Sequence, residues 1–482
     1  MKRKVVLVQP KVGLWDDNLI RKYYKLPLSL LCVSRYLVDC YDVTIIDQRL
    51  DKNWRKTLKR ELDLNPVCVG TTCLTGEQIK FALQISQHVK SISNIPMVWG
   101  GIHASIMPEQ TVANPNIDIV VQGEGEISFF ELVEALARGE SIETIAGVWY
   151  KRHGEIFHTA PRDFADLNSF PPVPYELVDI NAYSPLISLE TSRGCPFRCR
   201  YCYNTNFNRG TWRSLSAENV VKELRRIKDK YGFTDFLFID DNFFVNIERV
   251  RSILEAIERE SLCTSWGSSG MRIDTVERVD YTFFELLKRT GCISVEVGIE
   301  SCSDKVLKII NKGLTKERIL RLNREFARSK IEMACNFMVG FPGEEIEDLK
   351  ETARAIVTMA EDNPYMKVTF VSIYQPYPGT ALYSECLKLG LKEAKSLEEW
   401  IDRNWESVAN WRSKELNDLL NSINSTGYGL RHNRKTAPRG VAFEVVAALA
   451  RQVSIFRFKH FFFRFMVENY LKRLVEWTAP LS

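Results

Sequence analysis

Short apolar runs alternate with stretches that carry apolar residues at helical spacing along the first third of the chain. Val5 to Val8, Val43 to Ile46, Val67 to Gly70, Met97 to Trp99 and Ile117 to Val121 predict strands. Leu28 to Val38, Glu77 to Val89 and Ile127 to Ala137 predict helices between them. Strand and helix in turn give a parallel sheet covered on both faces, so residues 1–140 are expected to form a doubly wound, five-stranded α/β domain. Such a sheet binds ligands beyond the carboxyl ends of its strands. Those ends carry Gln9 and Pro10, Thr71, Thr72 and Thr75, Gly100, Gly101 and His103, and Gln122, Gly123 and Glu124 in the run QGEGE. Glycine pairs let a flat ligand approach the backbone and threonine hydroxyls can bond its amide groups, although ordinary strand-to-helix turns use the same residues.

The pattern breaks over residues 141–185, where a hairpin (Val148 to Tyr150, Ile156 to His158) is followed by prolines 161, 171, 172, 174 and 185. Extended, proline-rich backbone of this kind predicts a linker. Alternation then resumes. Ile187 to Glu190, Phe236 to Ile239, Ser265 to Ser268, Ser294 to Gly298, Met333 to Val339 and Val368 to Ile373 predict strands, separated by six helical stretches between Ala217 and Leu389. Residues 186–390 are therefore expected to form a partial (β/α)6 barrel whose reactive face lies at the carboxyl ends of its strands. Residues 391–482 read as helical. Ser454 to Trp477 sets Arg457, Arg464, Glu468 and Lys472 along one face among many aromatics, which suits a lid over a substrate or a helix lying on a membrane surface. The basic loop Tyr428 to Arg439 could meet an acidic substrate group.

A chain of 482 residues, 45% of them hydrophobic, can bury more than one core. A net charge of +4 from 65 basic and 61 acidic residues gives no reason to expect nucleic acid as a partner. No apolar run approaches the roughly 20 residues that span a bilayer. The start, MKRKVVLVQP, reads as a first strand and not as a signal peptide, so a cytoplasmic protein, at most peripheral to a membrane, is expected.

The candidate chemistry lies in TSRGCPFRCRYCY, where Cys195, Cys199 and Cys202 stand in the spacing CxxxCxxC. Three thiolates on one loop can hold three irons of a 4Fe-4S cube and leave the fourth open to an exogenous chelator. Structural zinc would want four ligands, usually as two pairs, and no second pair follows. The other cysteines are scattered singly among apolar residues, as reduced core cysteines are.

With Tyr201 as the aromatic before the last cysteine, the segment resembles the radical S-adenosylmethionine (SAM) superfamily. WGGIHAS and VQGEGE resemble the cobalamin-binding domain that precedes the radical domain in one large subclass, and FIDDNFF, SGMRID, VEVGIES, FMVGFPGE and QPYPGT look like its strand ends. The likeness covers roughly residues 1–390. It implies three cofactors: a 4Fe-4S cluster, SAM chelated to the open iron, and cobalamin. It further implies Asp240 and Asp241 near the SAM ammonium and Arg272, Glu300 and Ser301 near its carboxylate, ribose or the corrinoid. One departure stands out. Cobalamin domains that ligate cobalt from below carry DxHxxG after the first strand, and Gln9 to Trp15 has no histidine, so His103 reads as a corrin contact or a turn residue.

The resemblance implies a C-methyltransferase that moves the SAM methyl group through methylcobalamin to an unactivated carbon. Two other readings remain: a cyclase or oxidative rearrangement enzyme with the same cofactors, and a non-catalytic cobalamin and iron-sulfur sensor. A small-molecule or peptide substrate and an external low-potential electron donor are the partners expected, and no conventional catalytic base is evident. Removal of the residues beyond about 390 is expected to spare both cofactors and alter turnover.

Overall fold

The computed structural model describes residues 2–13, 24–403, 409–431 and 441–463. The chain forms two compact units, one built from residues 1–185 and a returning segment that begins at Lys392, the other from residues 186–391 and the described residues from 409 onward.

The first unit runs β1 (Lys4–Gln9), α1 (Leu28–Val33), β2 (Asp42–Asp47), α2 (Trp54–Leu62), β3 (Val69–Thr72), α3 (Gln78–Ile92), β4 (Met97–Gly100), α4 (Ile102–Ile106), α5 (Pro108–Ala113), β5 (Ile119–Val121) and α6 (Gly125–Arg138), then β6 (Val148–Arg152) and β7 (Glu155–His158). Val5, Val6, Leu7 and Val8 of β1 are each at most 1% exposed, as expected of a strand covered on both faces. β1 pairs in parallel with β2 and β3, and the sheet order is β2-β1-β3-β4-β5-β6-β7. The sheet therefore has seven strands where five were expected. The hairpin β6–β7 belongs to it, because Ile119 to Val121 pair antiparallel with Val148 to Tyr150 and close an edge that would otherwise be bare.

Helix α2 was not expected from the sequence. Only Trp54, Leu58, Glu61 and Leu62 of WRKTLKREL turn inward, a narrow stripe on a polar helix. The segment from Lys392 was expected with the C-terminal region, yet its polar contacts lie in the first unit. Gln110 Nε2 donates to the Ala394 carbonyl oxygen at 2.9 Å, Asn114 Nδ2 to Glu398 Oε1 at 2.5 Å, and Trp400 Nε1 to Gln110 Oε1 at 2.5 Å.

The second unit opens with β8 (Ile187–Leu189), β9 (Ser192–Gly194), α7 (Asn204–Phe207), β10 (Trp212–Ser214), α8 (Ala217–Tyr231), β11 (Asp235–Phe238), α9 (Ile247–Glu260) and β12 (Ser265–Met271). It continues through α10 (Tyr281–Arg289), β13 (Cys292–Glu300), α11 (Asp304–Ile309), α12 (Lys316–Ala327), β14 (Glu332–Val339), α13 (Ile346–Asp362), β15 (Met366–Ile373) and α14 (Ala381–Lys388). Side chains of Ser216, Asn246, Asp280, Ser303 and Thr315 cap α8 to α12 in turn by accepting a backbone N–H of the first turn. The six long-range strands pair in parallel in chain order, β8-β11-β12-β13-β14-β15, which is the open, partial (β/α)6 barrel expected.

Helices α15 (Lys414–Gly427) and α16 (Val441–His460) follow. The outer edge of β15 is closed by side chains: Asn424 Nδ2 donates to the Val371 carbonyl at 2.7 Å and Arg431 Nε to that of Thr369 at 2.7 Å. Of the expected aromatic helix from Ser454 only residues 454–463 are described, and α16 already ends at His460. Arg464, Glu468, Lys472 and residues 432–439 of the basic loop lie outside the described residues. Arg457 is 7% exposed and donates to the Phe462 carbonyl, so it faces protein.

Candidate active site

The cysteine loop leaves the barrel at the carboxyl end of β8. Ser192 to Gly194 fold back as an antiparallel pair with Trp212 to Ser214. Gly194 has φ +84°, and a Cβ there would sit 2.2 Å from the Thr211 carbonyl oxygen, so only glycine lets the chain turn out into Cys195.

Asp240, 2% exposed, anchors this turn. Its carboxylate accepts from Thr191 N (2.7 Å), Thr191 Oγ1 (2.7 Å) and Ser192 Oγ (2.6 Å), and Arg249 Nη2 donates to the Thr191 carbonyl at 2.9 Å. Burial pushes the Asp240 carboxyl up to about 6, against the pull of those donors and of Arg249. Asp241 holds both flanks of the loop: Oδ2 accepts from Gly194 N at 2.9 Å and Oδ1 from the Tyr203 hydroxyl at 2.9 Å. The hydrogen bonds of both carboxylates thus go to the loop itself.

Two further side chains reach the sulfurs. Asn242 Nδ2 lies 3.9 Å from Cys195 Sγ, and Arg272 Nη1 lies 3.9 Å from Cys199 Sγ. Arg272 is fixed by Asp274 (Nη2 to Oδ2, 3.0 Å), by the Lys312 carbonyl (2.7 Å) and by the Phe197 ring, whose centroid is 3.8 Å away. The backbone N–H of Cys202 donates to the Cys199 carbonyl at 3.2 Å. Burial raises the Cys195 thiol and pushes that of Cys202 up to about 12, and each of the two also feels the charge of Cys199.

Beneath Tyr201 lies a buried polar triad. Glu300 Oε1 accepts from the Tyr201 hydroxyl at 2.9 Å and from Lys312 Nζ at 3.0 Å. Glu300 has φ +68°, a strained conformation for a residue with a side chain, and Gly298 makes room for its carboxylate. Ser301 is wholly buried and commits its hydroxyl to Thr352 Oγ1 (3.0 Å) and Ser303 N (3.1 Å), which ties the turn after β13 to α13. Tyr201 also meets Phe341 edge-on at 5.8 Å, and Phe341 stacks on Tyr374 at 5.0 Å. Lys312, Arg249 and Phe197 were not singled out in the sequence. Lys312 and Arg249 carry no motif and reach the loop only through the fold, whereas Phe197 stands on the loop itself between Cys195 and Cys199 and finds its partner, Arg272, only there.

In the first unit the expected residues gather at the carboxyl edge of the sheet but divide into two sets. Thr71 is buried and donates to the Val8 carbonyl at 2.8 Å, joining β3 to β1. His103 is wholly buried, bonded through Nδ1 to Thr75 Oγ1 at 2.9 Å and packed edge-on to Trp400 at 5.6 Å. Its Nε2 has no partner among the described residues, and burial lowers the imidazole to about 4, so it is neutral. Thr72, Gly100, Gly101, Gln122, Gly123 and Glu124 are partly exposed and form the rim. Gly101 has φ +90°, and a Cβ there would meet Thr72 Oγ1 at 2.4 Å and Cys73 N at 2.8 Å. Gly123 has open space where a side chain would be, and Gln122 is fixed by Ser105 and Trp149.

The sequence profile of the radical SAM superfamily matches residues 189–356, and that of the B12 binding domain matches residues 21–133. An uncharacterized methyltransferase of Pyrococcus horikoshii is 33% identical over 366 residues, 74% of this chain and 77% of that protein. The chain belongs to the cobalamin-binding radical SAM superfamily.

Another relative, the anaerobic magnesium-protoporphyrin IX monomethyl ester cyclase of Cereibacter sphaeroides, is 26% identical over 408 residues, 79% of this chain and 63% of that protein. The same fold is seen in the radical SAM methyltransferase TsrM of Kitasatospora setae, solved with cobalamin and a 4Fe-4S cluster (TM-score 0.67, 18% identity, 94% of this chain and 100% of that one). As a member of this superfamily the protein is an enzyme that uses a 4Fe-4S cluster, SAM and cobalamin.

The residues present fit these groups. Among the described residues no three His, Cys, Asp or Glu side chains gather around a point that a single metal ion would fill, whereas a cube takes its ligands at separate corners. Three thiols on one braced loop, with a buried guanidinium beside one of them, suit an anionic cluster. The open space at Gly123 and the exposed backbone of the rim suit a flat corrinoid ring. Among the described residues no helix is long and apolar enough to cross a membrane.

Proposed function

We propose that the enzyme is a C-methyltransferase that carries the SAM methyl group to an unactivated carbon of a small molecule. The observation that carries this reading is the braced three-cysteine loop on the same chain as a corrinoid-type sheet edge, in a protein whose 33%-identical relative is named a methyltransferase. When bound, the cluster supplies the electron that cleaves SAM to a carbon radical, and the corrinoid supplies the methyl carrier.

The chain's own residues position and shield. Cys195, Cys199 and Cys202 are the thiolate donors, with Arg272 as the cation beside Cys199. Asp240 and Asp241 are positioning residues, since their oxygens hold the loop. Asn242 Oδ1 is buried without a partner among the described residues, which leaves an acceptor for an ammonium group next to Cys195. Glu300 and Lys312 cancel each other's charge beneath Tyr201, while Tyr201 and Phe341 keep water from that side of the loop. Thr72, Gly100, Gly101 and Gln122 to Glu124 would line the corrinoid, with Thr71, Thr75 and His103 supporting them from inside.

The test is anaerobic reconstitution with iron, sulfide and cobalamin, followed by a strong reductant and SAM labelled with deuterium in its methyl group. The expected outcome is both 5′-deoxyadenosine and S-adenosylhomocysteine, with label on the corrinoid. Deoxyadenosine without S-adenosylhomocysteine would replace this reading by the cyclase type of reaction, which the Cereibacter sphaeroides relative represents. Neither product would sink both.

A further inference from the structure

Arg412 puts an unpaired charge inside the second unit, at the carboxyl end of β14. It is 9% exposed, and Nη1 donates to the Gly340 carbonyl at 3.0 Å. Its Nε and Nη2 are buried and have no acceptor among the described residues, none of whose carboxylates is in hydrogen-bond contact with the guanidinium. The guanidinium carbon lies over the Trp411 ring, 4.6 Å from its centroid, and Trp411 Nε1 is likewise a buried donor without a partner among the described residues.

The backbone is shaped to receive this side chain. Gly340 has φ +85°, and a Cβ there would come within 2.3 Å of Arg412 Nη1. Glu344 is near enough to act on Arg412 electrostatically but is turned away from it, since Oε2 accepts from Gly340 N and from Phe341 N at 3.1 Å. The other oxygen, Oε1, is buried with no partner among the described residues. Burial pushes the Glu344 carboxyl up to about 8, so near neutral pH it carries a proton, and Oε1 is where that proton is free to point.

Among the described residues, four buried donors without acceptors thus lie on Arg412 and its neighbours around Gly340: two on Arg412, one on Trp411 and the protonated Glu344. Burying a guanidinium with two donors unused costs stability unless something else completes it. The Nε and Nη2 edge of arginine matches two oxygens of one anion side by side. A chain of rings, Tyr201 to Phe341 to Tyr374, links this place to the cysteine loop.

We propose that Arg412 binds an anionic oxygen group of the substrate, a carboxylate or a phosphate, at the carboxyl end of β14, and so holds the reacting carbon toward the cysteine loop. This deepens the methyltransferase reading and rests on it for the word substrate, but the anion site itself is tested without the cofactors.

The full-length, cofactor-free protein is melted in chloride, phosphate and acetate at equal ionic strength, alongside the variants Arg412→Gln and Arg412→Lys. The expected result has three parts. Phosphate or acetate raises the wild-type Tm above its value in chloride in a concentration-dependent way. Arg412→Gln melts in chloride no lower than wild type, because an uncompensated charge has been removed, and it loses the anion-dependent rise. Arg412→Lys keeps the charge without the two-pronged edge and shows a weaker rise. Which anion acts at lower concentration identifies the group. An equal rise in wild type and Arg412→Gln, or no anion-specific rise in wild type, would overturn the proposal. So would loss of folded protein in both variants, since the guanidinium would then be part of the scaffold. Failure here leaves the SAM products of the methyltransferase test unaffected, and failure of that test leaves an anion site of unassigned use.

Discussion

Cys195, Cys199 and Cys202 could be read directly from the sequence because three like residues at fixed spacing on one loop need no fold to explain them. Cys199→Ala is expected to abolish iron-sulfur absorbance and 5′-deoxyadenosine formation while cobalamin still binds; SAM cleavage retained in that variant would show that the cluster sits elsewhere. The residues around the cysteines were less legible, for a physical reason. Asp240 and Asp241 were expected to meet a ligand, yet their hydrogen bonds run to Thr191, Ser192, Gly194 and Tyr203, 38 to 49 residues away in the chain. Lys312, Asn242 and Arg412 matter through partners that only the folded barrel supplies. Glu344 gives a prediction at the same scale. Its carboxyl is raised from 4.5 to about 8 by burial, with Asp348 adding to the shift and Arg412 opposing it. Folding thus favours the protonated form, so this contribution is full below the ordinary value and is lost as pH climbs through about 8. Glu344→Gln, which cannot ionise, should show a smaller fall in Tm between pH 5 and pH 8 than wild type; parallel curves would show that Glu344 is ionised in the folded protein.

Among elements, the strands were the most legible, because Val5 to Val8 or Met333 to Val339 are apolar runs that a buried parallel strand demands. Helix α2 and the pair α4 and α5 were missed, being polar or only one to two turns long. The β6–β7 hairpin was expected, but not its docking on β5, because pairing along a sheet edge depends on which edge the other strands leave open. The turn from β4 to α4 offers a sharp test. Gly101→Ala forces a side chain into a left-handed position and against Thr72 and Cys73, and should cost about 1–3 kcal/mol in denaturant unfolding of the first unit. Iron content after reconstitution should be unchanged in that variant, since the cysteine loop belongs to the second unit. A melting curve identical to wild type would mean that this turn relaxes freely.

For the whole molecule, the segment from Lys392 changes one expectation. Cutting the chain after residue 391 was expected to spare both cofactors, but it would remove Trp400, which is 1% exposed, covers His103 and holds Gln110. Trp400→Ala alone should keep the iron-sulfur spectrum and bind cobalamin at least tenfold more weakly than the unaltered chain, a modest figure for the loss of one buried tryptophan. Equal corrinoid affinity would show that this tryptophan is ornamental. Neither the sequence pattern nor the family likeness marks this segment, because residues 392–403 carry only a few buried side chains, and what they bury against lies nearly three hundred positions earlier in the chain.

That interleaving has a consequence for how the protein is made. A ribosome releases the parallel strands of the first sheet early, then the entire barrel, and only afterwards the piece that closes over His103. The nascent chain can therefore offer all six barrel strands and the cysteine loop to iron and sulfide before the corrinoid edge of the first sheet is sealed, so in the cell metal loading is expected to precede vitamin capture.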